Sequence, residues 1–174
     1  VSASTVWFKD KGVRSFSAYY PYNANPTNDL IMFQVPDSAI QSKQKVNDFL
    51  FASGQASYAY PSLTLNFTHK MARVFIKIYP SPEYGFTTND FSGSILTFCD
   101  YFDSGTFNIK TGKVECSEES VSTGYFGEVK SSYMTFLLYV PAQTVPNIQL
   151  DLQNGEHYTF SINDKWEAGH SYSY

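Results

Sequence analysis

Charge is the scarcest ingredient of this sequence. Asp, Glu, Lys and Arg make up 16% of its 174 residues and the net charge is −4. No basic tract is present, so the electrostatic footprint needed to hold nucleic acid is missing and that partner is excluded. Long apolar runs are missing as well. None reaches the roughly 18 residues a membrane-spanning helix requires, so no transmembrane segment is expected. No basic-then-apolar leader opens the chain, and any export signal is expected to have been removed. Cysteine is limited to Cys99 and Cys116. The local signatures of phosphate loops, dinucleotide sites, zinc hydrolases, CxxC redox centres and serine hydrolases are all absent, so no cofactor, metal or catalytic residue is assigned.

Aromatic residues are abundant, at 18%, with 14 Tyr and 15 Phe. Together with plentiful Ser, Thr and Val they favour strands packed in two layers. Strand-like runs separated by turn residues recur throughout: "VRSFSAYY", "DLIMFQV", "LTLNFTH", "ARVFIKIY", "SILTFCDYF", "TFNIK", "KVEC", "YMTFLLYV", "NIQLDL", "HYTFSI" and "GHSYSY". Only "SKQKVNDFLFAS" (42–53), with Val46, Phe49 and Leu50 at helical spacing, reads as a short helix. The fold class is therefore all-β, a two-layer sandwich with at most one or two short helices. Nothing splits the chain, so residues 1–174 are expected to form one domain.

Three local details can be specified. In "LNFTHKMARVFIKI" the odd positions through Met71 share one face, whereas Ala72, Val74, Ile76 and Ile78 then place the apolar set on even positions. A strand whose buried parity flips must bulge or bend between sheets, here between His69 and Ala72. His69 is expected to be a partly buried, hydrogen-bonded residue at the core edge and Arg73 to lie in the core. In "NIQLDLQNGEHYTFSI" a three-residue loop at Asn154–Glu156 sets Leu152 against Tyr158, Leu150 against Phe160 and Ile148 against Ile162, with Gly155 free to take positive φ. Residues 94–116 read as a meander turning at Ser104-Gly105 and Thr111-Gly112. That arrangement puts Cys99 and Cys116 on outer strands, too far apart to pair, and both are expected to be free.

Exposed tyrosines are the candidate binding surface. "SAYYPYN" and "SYAYPS" place Tyr19, Tyr20, Tyr22, Tyr58 and Tyr60 at strand ends stopped by Pro21 and Pro61, where amphipathic rings can stack on sugars or proteins. A carbohydrate-binding module is thus one alternative function. A glycosidase is a weaker one, since Asp100, Asp103, Glu118 and Glu119 could supply two carboxylates but read as solvated loop acids.

Six stretches, "FSAYYPY", "VNDFLFA", "LTLNFTHKMARVFIKI", "GTFNIKTGKV", "YVPAQTV" and "YTFSINDKWEAGHSYSY", resemble in order and spacing the fimbrillin-like proteins of Bacteroides and relatives. The most specific parts are Phe67-x-His-Lys-Met-Ala-Arg-Val74 and Trp166-x-Ala-Gly-x-x-Tyr-x-Tyr174. The resemblance covers nearly the whole chain. It implies a transthyretin-like, Greek-key sandwich in a surface structural or adhesive protein of fimbrial type. It further implies partners among other fimbrial subunits or host and bacterial surface receptors, and a location at the fimbrium or outer membrane of a Gram-negative anaerobe. Family members are exported lipoproteins that add a strand from one subunit to a groove in the next. Because no lipid-bearing cysteine begins this chain, lipid anchoring is expected only of a longer precursor. The family's opening strands before "VWF" and its second domain are expected to be missing. Ser38, in "DSA", resembles the acceptor pattern of Bacteroides-type surface O-glycosylation.

Overall fold

The structure, a computed structural model, describes residues 10–174; the expected gap before "VWF" lies outside the described residues. Strands are β1 (Arg14–Tyr20), β2 (Leu30–Gln34), β3 (Leu50–Ala56), β4 (Thr68–His69), β5 (Ala72–Ile78), β6 (Ile95–Tyr101), β7 (Ser104–Asn108) and β8 (Val114–Cys116). They continue as β9 (Val121–Phe126), β10 (Glu128–Val129), β11 (Met134–Val140), β12 (Gln143–Thr144), β13 (Asn147–Asp151), β14 (His157–Phe160), β15 (Lys165–Trp166) and β16 (Ser171–Ser173). One short helix, α1 (Gln41–Gln44), and three 3₁₀ turns complete the described elements.

Two four-stranded sheets, ordered β14-β13-β6-β9 and β10-β11-β5-β16, face one another. Alternation along each strand aims one set of side chains inward: Ala72, Val74 and Ile76 from β5, Phe136 and Leu138 from β11, Leu96 and Phe98 from β6, Ile148 and Leu150 from β13. Phe98 is the hub, with the rings of Tyr101, Tyr125 and Trp166 at 5.3, 5.4 and 5.6 Å. Every residue of β11 is buried. The reason is that its other face, at Tyr139, joins a second core with Phe33, Phe49, Phe51, Met71 and Phe107. That core lies among the two three-stranded sheets β1-β3-β4 and β2-β7-β8. The all-β sandwich expected from the sequence is the architecture observed.

Several local expectations are corrected. The helical reading of 42–53 holds only for 41–47; Leu50–Ala56 is instead strand β3, paired along its whole length with β1. Seven rungs of partner hydrogen bonds outweigh a three-residue apolar spacing. In "LTLNFTH" only Thr68–His69 joins a ladder. Leu63 and Leu65 pack across Gly54, where a Cβ would meet Leu63 Cδ1 at 2.5 Å, so they are held to β3 by side chains.

The bend after His69 is present: β4 belongs to the β1-β3-β4 sheet and β5 to the sandwich, with Lys70 and Met71 making the crossing. His69 itself is exposed, its side chain 54% accessible, because the switch leaves it outside both cores; its Nδ1 meets Asp48 Oδ1 at 2.6 Å. Arg73 is likewise outside the core, on the outer face of β5 with Phe75 and Lys77.

The meander is half right. β7 and β8 form the hairpin with Gly112 at φ +69, but β6 and β7 lie in different sheets, β7 pairing with β2. A register shift after Phe98 and the positive φ of Asp100 turn the chain away, and Phe102 N–H donates to Gln143 Oε1. Cys99 and Cys116 are free and on separate sheets. In the β13–β14 hairpin Leu150 pairs with Tyr158 and Ile148 with Phe160. Leu152 N–H donates to Glu156 O, so the three-residue loop is Gln153–Gly155, one residue earlier than expected. Gly155, at φ +90, closes a turn that puts the left-handed residue last. The two-residue change in register preserves which faces point inward.

Candidate functional site

A sandwich has two open sides where its sheets end, and here they differ. On the β9–β11 side a single segment bridges the gap. Ala39 N–H donates to Phe126 O at 2.9 Å, Phe126 N–H to Asp37 O at 3.0 Å, and Leu137 N–H to Ala39 O at 2.9 Å. Gln44, fully buried, completes the seal: its Nε2 donates to Pro36 O and Ser38 O, and its Oε1 accepts Tyr139 N–H. β10, only two residues long, pairs with β11 at Met134 and Thr135, and this segment takes over where β10 stops.

On the β14–β5 side, β16 and the buried Trp166, bonded to Tyr174, cover one end, but past Tyr174 no such bridge joins β14 to Ile78 and Tyr79 among the described residues. Two cavities of about 510 and 540 Å³ lie there and share Ile78, Tyr79 and Phe160, so they form one groove. Its floor is apolar: Phe91, Leu96, Ile148, Leu150 and Leu152. Its rim is Tyr79, Tyr84 and Phe86 on one wall and Tyr158 and Phe160 on the other, the two meeting at one point where the Phe86 and Tyr158 rings contact edge-on at 6.1 Å. Tyr158 and Phe160 belong to the inward-facing set of β14, yet they remain 39% and 42% exposed. An inward face left this accessible is a strand face lacking its cover.

The backbone is open too. The bonded rung at Leu152–Glu156 and the two-residue repeat of an antiparallel ladder make Leu150–Tyr158 and Ile148–Phe160 the bonded pairs. His157 and Thr159 therefore turn their N–H and C=O groups outward, away from β13. On the opposite wall the β5–β16 ladder reaches Lys77, whose N–H donates to Tyr174 O, while Ile78 and Tyr79 run on past that bond. From Glu156 to Ile162 the β14 wall extends about 20 Å, room for a strand of about six residues.

The groove holds one carboxylate, Glu156, which accepts hydrogen bonds from Tyr158 Oη at 3.2 Å and Asn154 Nδ2 at 3.1 Å. Desolvation and then the Glu156 charge push the Tyr158 phenol up from its ordinary value, so it stays a neutral donor. At the other end Tyr174 Oη donates to Asp164 Oδ2 at 3.2 Å and accepts Trp166 Nε1–H at 3.3 Å. Burial, ahead of the Asp164 charge, raises the Tyr174 phenol despite the opposing Trp166 bond.

The tyrosines named from the sequence are not brought into one platform. In the β1–β3 register Tyr20 pairs with Leu50 and Arg14 with Ala56, which places Tyr20 and Tyr22 at one end of the pair and Tyr58 and Tyr60 past the other. Tyr20, Tyr22, Tyr58 and Tyr60 are exposed. Tyr19 is half-buried, donating to Asn23 O and lying 6.3 Å from the Phe107 ring. Ser38 is half-buried at an isolated parallel bridge with Phe126, inside the sealed side. Of the acids, Asp103 is buried and accepts from Thr123 Oγ1, whereas Asp100, Glu118 and Glu119 are exposed. None of the four lines the groove. The groove residues Tyr79, Tyr84, Phe86 and Phe160 escaped the sequence reading. Their only signal was apolar residues on β14 and after β5 in excess of what the core consumes.

A family model described as fimbrillin-like matches residues 1–174. Among solved structures, a candidate cell adhesion protein of Bacteroides ovatus is 26% identical and superposes with a TM-score of 0.70, over 96% of this chain and 63% of that one. One from Bacteroides uniformis, also described as a candidate cell adhesion protein, gives 0.70 at 18% identity, over 92% and 66%. A third, from Bacteroides thetaiotaomicron, gives 0.55 at 16% identity, over 95% and 66%. The chain thus spans a little under two thirds of each of these structures. No curated protein matches it.

Proposed function

The chain belongs to the fimbrillin-like family, and from that premise we propose that it is a non-enzymatic, cell-surface adhesive subunit of fimbrial type that accepts a β-strand from a neighbouring subunit. The acceptor is the groove between β14 and β5. The observation that carries the reading is the exposure of Tyr158 and Phe160 on an inward face, beside outward-turned backbone groups at His157 and Thr159. An added strand would satisfy those backbone groups, and its alternate side chains would fill the two halves of the groove. Strand pairing supplies affinity from the backbone, while the spacing of the two halves supplies register. The adhesive assignment of the Bacteroides ovatus structure supports the same reading. The partners are other subunits of the same assembly, and the location is the surface of a Bacteroides-type cell, with any lipid anchor supplied by a longer precursor. We treat both cores as one domain, since β11 contributes a face to each.

The test is to titrate the chain with six- to eight-residue peptides of alternating apolar pattern and follow thermal unfolding. At about 100 times its dissociation constant a bound strand adds about 2.7 kcal/mol, which raises the midpoint by roughly 5 to 10 °C for a chain of this size. The same peptide with its apolar positions shifted by one residue should give no shift. Equal shifts from both peptides, or none from any peptide, overturn the proposal.

A further inference from the structure

The outer face of the β5 sheet, which shares only Lys77 and Tyr79 with the groove lining, combines charge and aromatic surface in a way the strand-accepting role does not use. Alternation puts Arg73, Phe75 and Lys77 on that face, with Tyr79 beyond them. The register sets Tyr139, Leu137 and Thr135 of β11 beside them, all three buried, with Tyr133 just before β11, and Ser171 and Ser173 of β16 on the other flank. The Phe75 ring is flanked by the Arg73 guanidinium at 5.8 Å and the Lys77 ammonium at 5.4 Å. Lys77 Nζ also lies 5.1 Å from the Tyr133 ring, which pairs with Tyr79 at 5.5 Å.

In a chain with four more acids than bases, these two cations bracket one aromatic ring. The ion pairs found among the described residues involve neither Arg73 nor Lys77. Of the acids, Glu128 pairs with Lys130, while Asp48 pairs with His69 and also meets the Tyr139 phenol, which contacts Arg73 as well. At the Arg73 end lies a cleft of about 120 Å³ lined by His69, Arg73, Tyr139, His170 and Ser171. Arg73 Nη1 donates to Ser171 Oγ at 3.1 Å there, which aims the guanidinium across the mouth.

We propose that this face binds an acidic oligosaccharide, a glycan carrying carboxylate or sulfate groups. Its acidic group meets Arg73 and Ser171 at the cleft, where a planar guanidinium with spare donors matches an oxyanion. Its sugar rings run along Phe75 towards Tyr133 and Tyr79, whose apolar ring faces suit the C–H faces of pyranoses, and Lys77 meets a second acid. From Arg73 to Tyr79 the face spans about 20 Å, the reach of three or four sugar units. Charge complementarity favours this occupant over a neutral glycan, for which two unpaired cations have no use.

The experiment is calorimetric titration of the whole chain at low salt with three probes: a heparin tetrasaccharide, a hyaluronan tetrasaccharide and neutral cellotetraose. Binding of either acidic probe, lost on adding salt and absent for cellotetraose, is expected. Binding of hyaluronan shows that carboxylates suffice, and binding of heparin alone marks sulfate as the ligand group. Lys77→Gln and Tyr133→Ala should each weaken it by about fivefold. Should Tyr133→Ala fold poorly, Lys77→Gln, a fully surface change, decides alone. Phe160→Ser, in the groove, should leave glycan affinity unchanged while abolishing the peptide-induced thermal shift, so the two proposals fail separately. No acidic probe binding at millimolar concentration, equal binding of cellotetraose, or affinity indifferent to Lys77→Gln overturns the assignment.

Discussion

The two sides of the sandwich present the same structural problem and solve it differently. On the β9–β11 side the 35–44 segment crosses the gap, places Ala39 and Asp37 backbone against Phe126, and buries one glutamine whose amide answers three main-chain groups. On the β14–β5 side equivalent backbone groups at His157 and Thr159 face outward and aromatic side chains rim an apolar trough. Edge strands left unpaired invite pairing with other chains, and proteins ordinarily blunt them. One side of this molecule is blunted and the other is not, which argues that the open side has a use.

Gln44→Leu should produce the largest effect. It leaves Pro36 O, Ser38 O and Tyr139 N–H buried without partners, and a loss of about 3 kcal/mol is expected in urea unfolding. A loss under about 0.5 kcal/mol would mean that the sealed side is held by apolar contacts alone and that the contrast is weaker than drawn. On the open side, the double change Tyr158→Ser and Phe160→Ser should cost the free chain only about 2 kcal/mol for two aromatic rings together, because both are already some 40% exposed. Strand binding, by contrast, should disappear. A much larger loss of stability in the free chain would show that the rings are buried in solution and the groove closed.

The smallest effect concerns acid. Asp90 accepts hydrogen bonds from Thr87 N–H at 2.7 Å and Thr87 Oγ1 at 2.9 Å, capping the turn that sets Phe91 in the groove floor. The backbone bond from Thr87, then its hydroxyl, lowers the Asp90 carboxyl below its ordinary 3.8. A depressed carboxylate contributes stability above its unfolded value, and that contribution fades as pH falls through the lower folded value. The cap should thus hold at pH 4 and loosen only in stronger acid, read from the Thr87 amide shift. In Asp90→Asn that acid transition should vanish, and its persistence would assign it to another group.

How much of this was legible in the sequence follows from how local each feature is. Alternation named the inward sets of β5 and β13 correctly, because period-two burial is written into neighbouring residues. The parity flip at Met71 revealed the sheet crossing for the same reason. His69 and Arg73 were misplaced because parity gives a face but cannot say whether anything covers it. The start of β3 was read as helix since its partners in β1 lie 30 to 42 residues away, from Tyr20–Leu50 to Arg14–Ala56. The groove was invisible in the same sense: "HYTF" looks like any half-buried strand, and only the absence of a neighbour beyond β14 turns Tyr158 and Phe160 into a rim. Tyr20, Tyr22, Tyr58 and Tyr60 were recognised as exposed, yet the register that sets them at opposite ends of β1 and β3 is a long-range fact.

Amide hydrogen exchange tests the contrast between the two sides most directly. In the free chain the amides of Ala39, Phe126 and Leu137 should be slow, whereas those of His157 and Thr159 should exchange nearly as fast as unstructured peptide. Addition of a correctly registered strand peptide should slow His157 and Thr159 and leave the other three unchanged. Protection of His157 and Thr159 already in the free monomer, with no further change on adding peptide, would contradict the open-edge account.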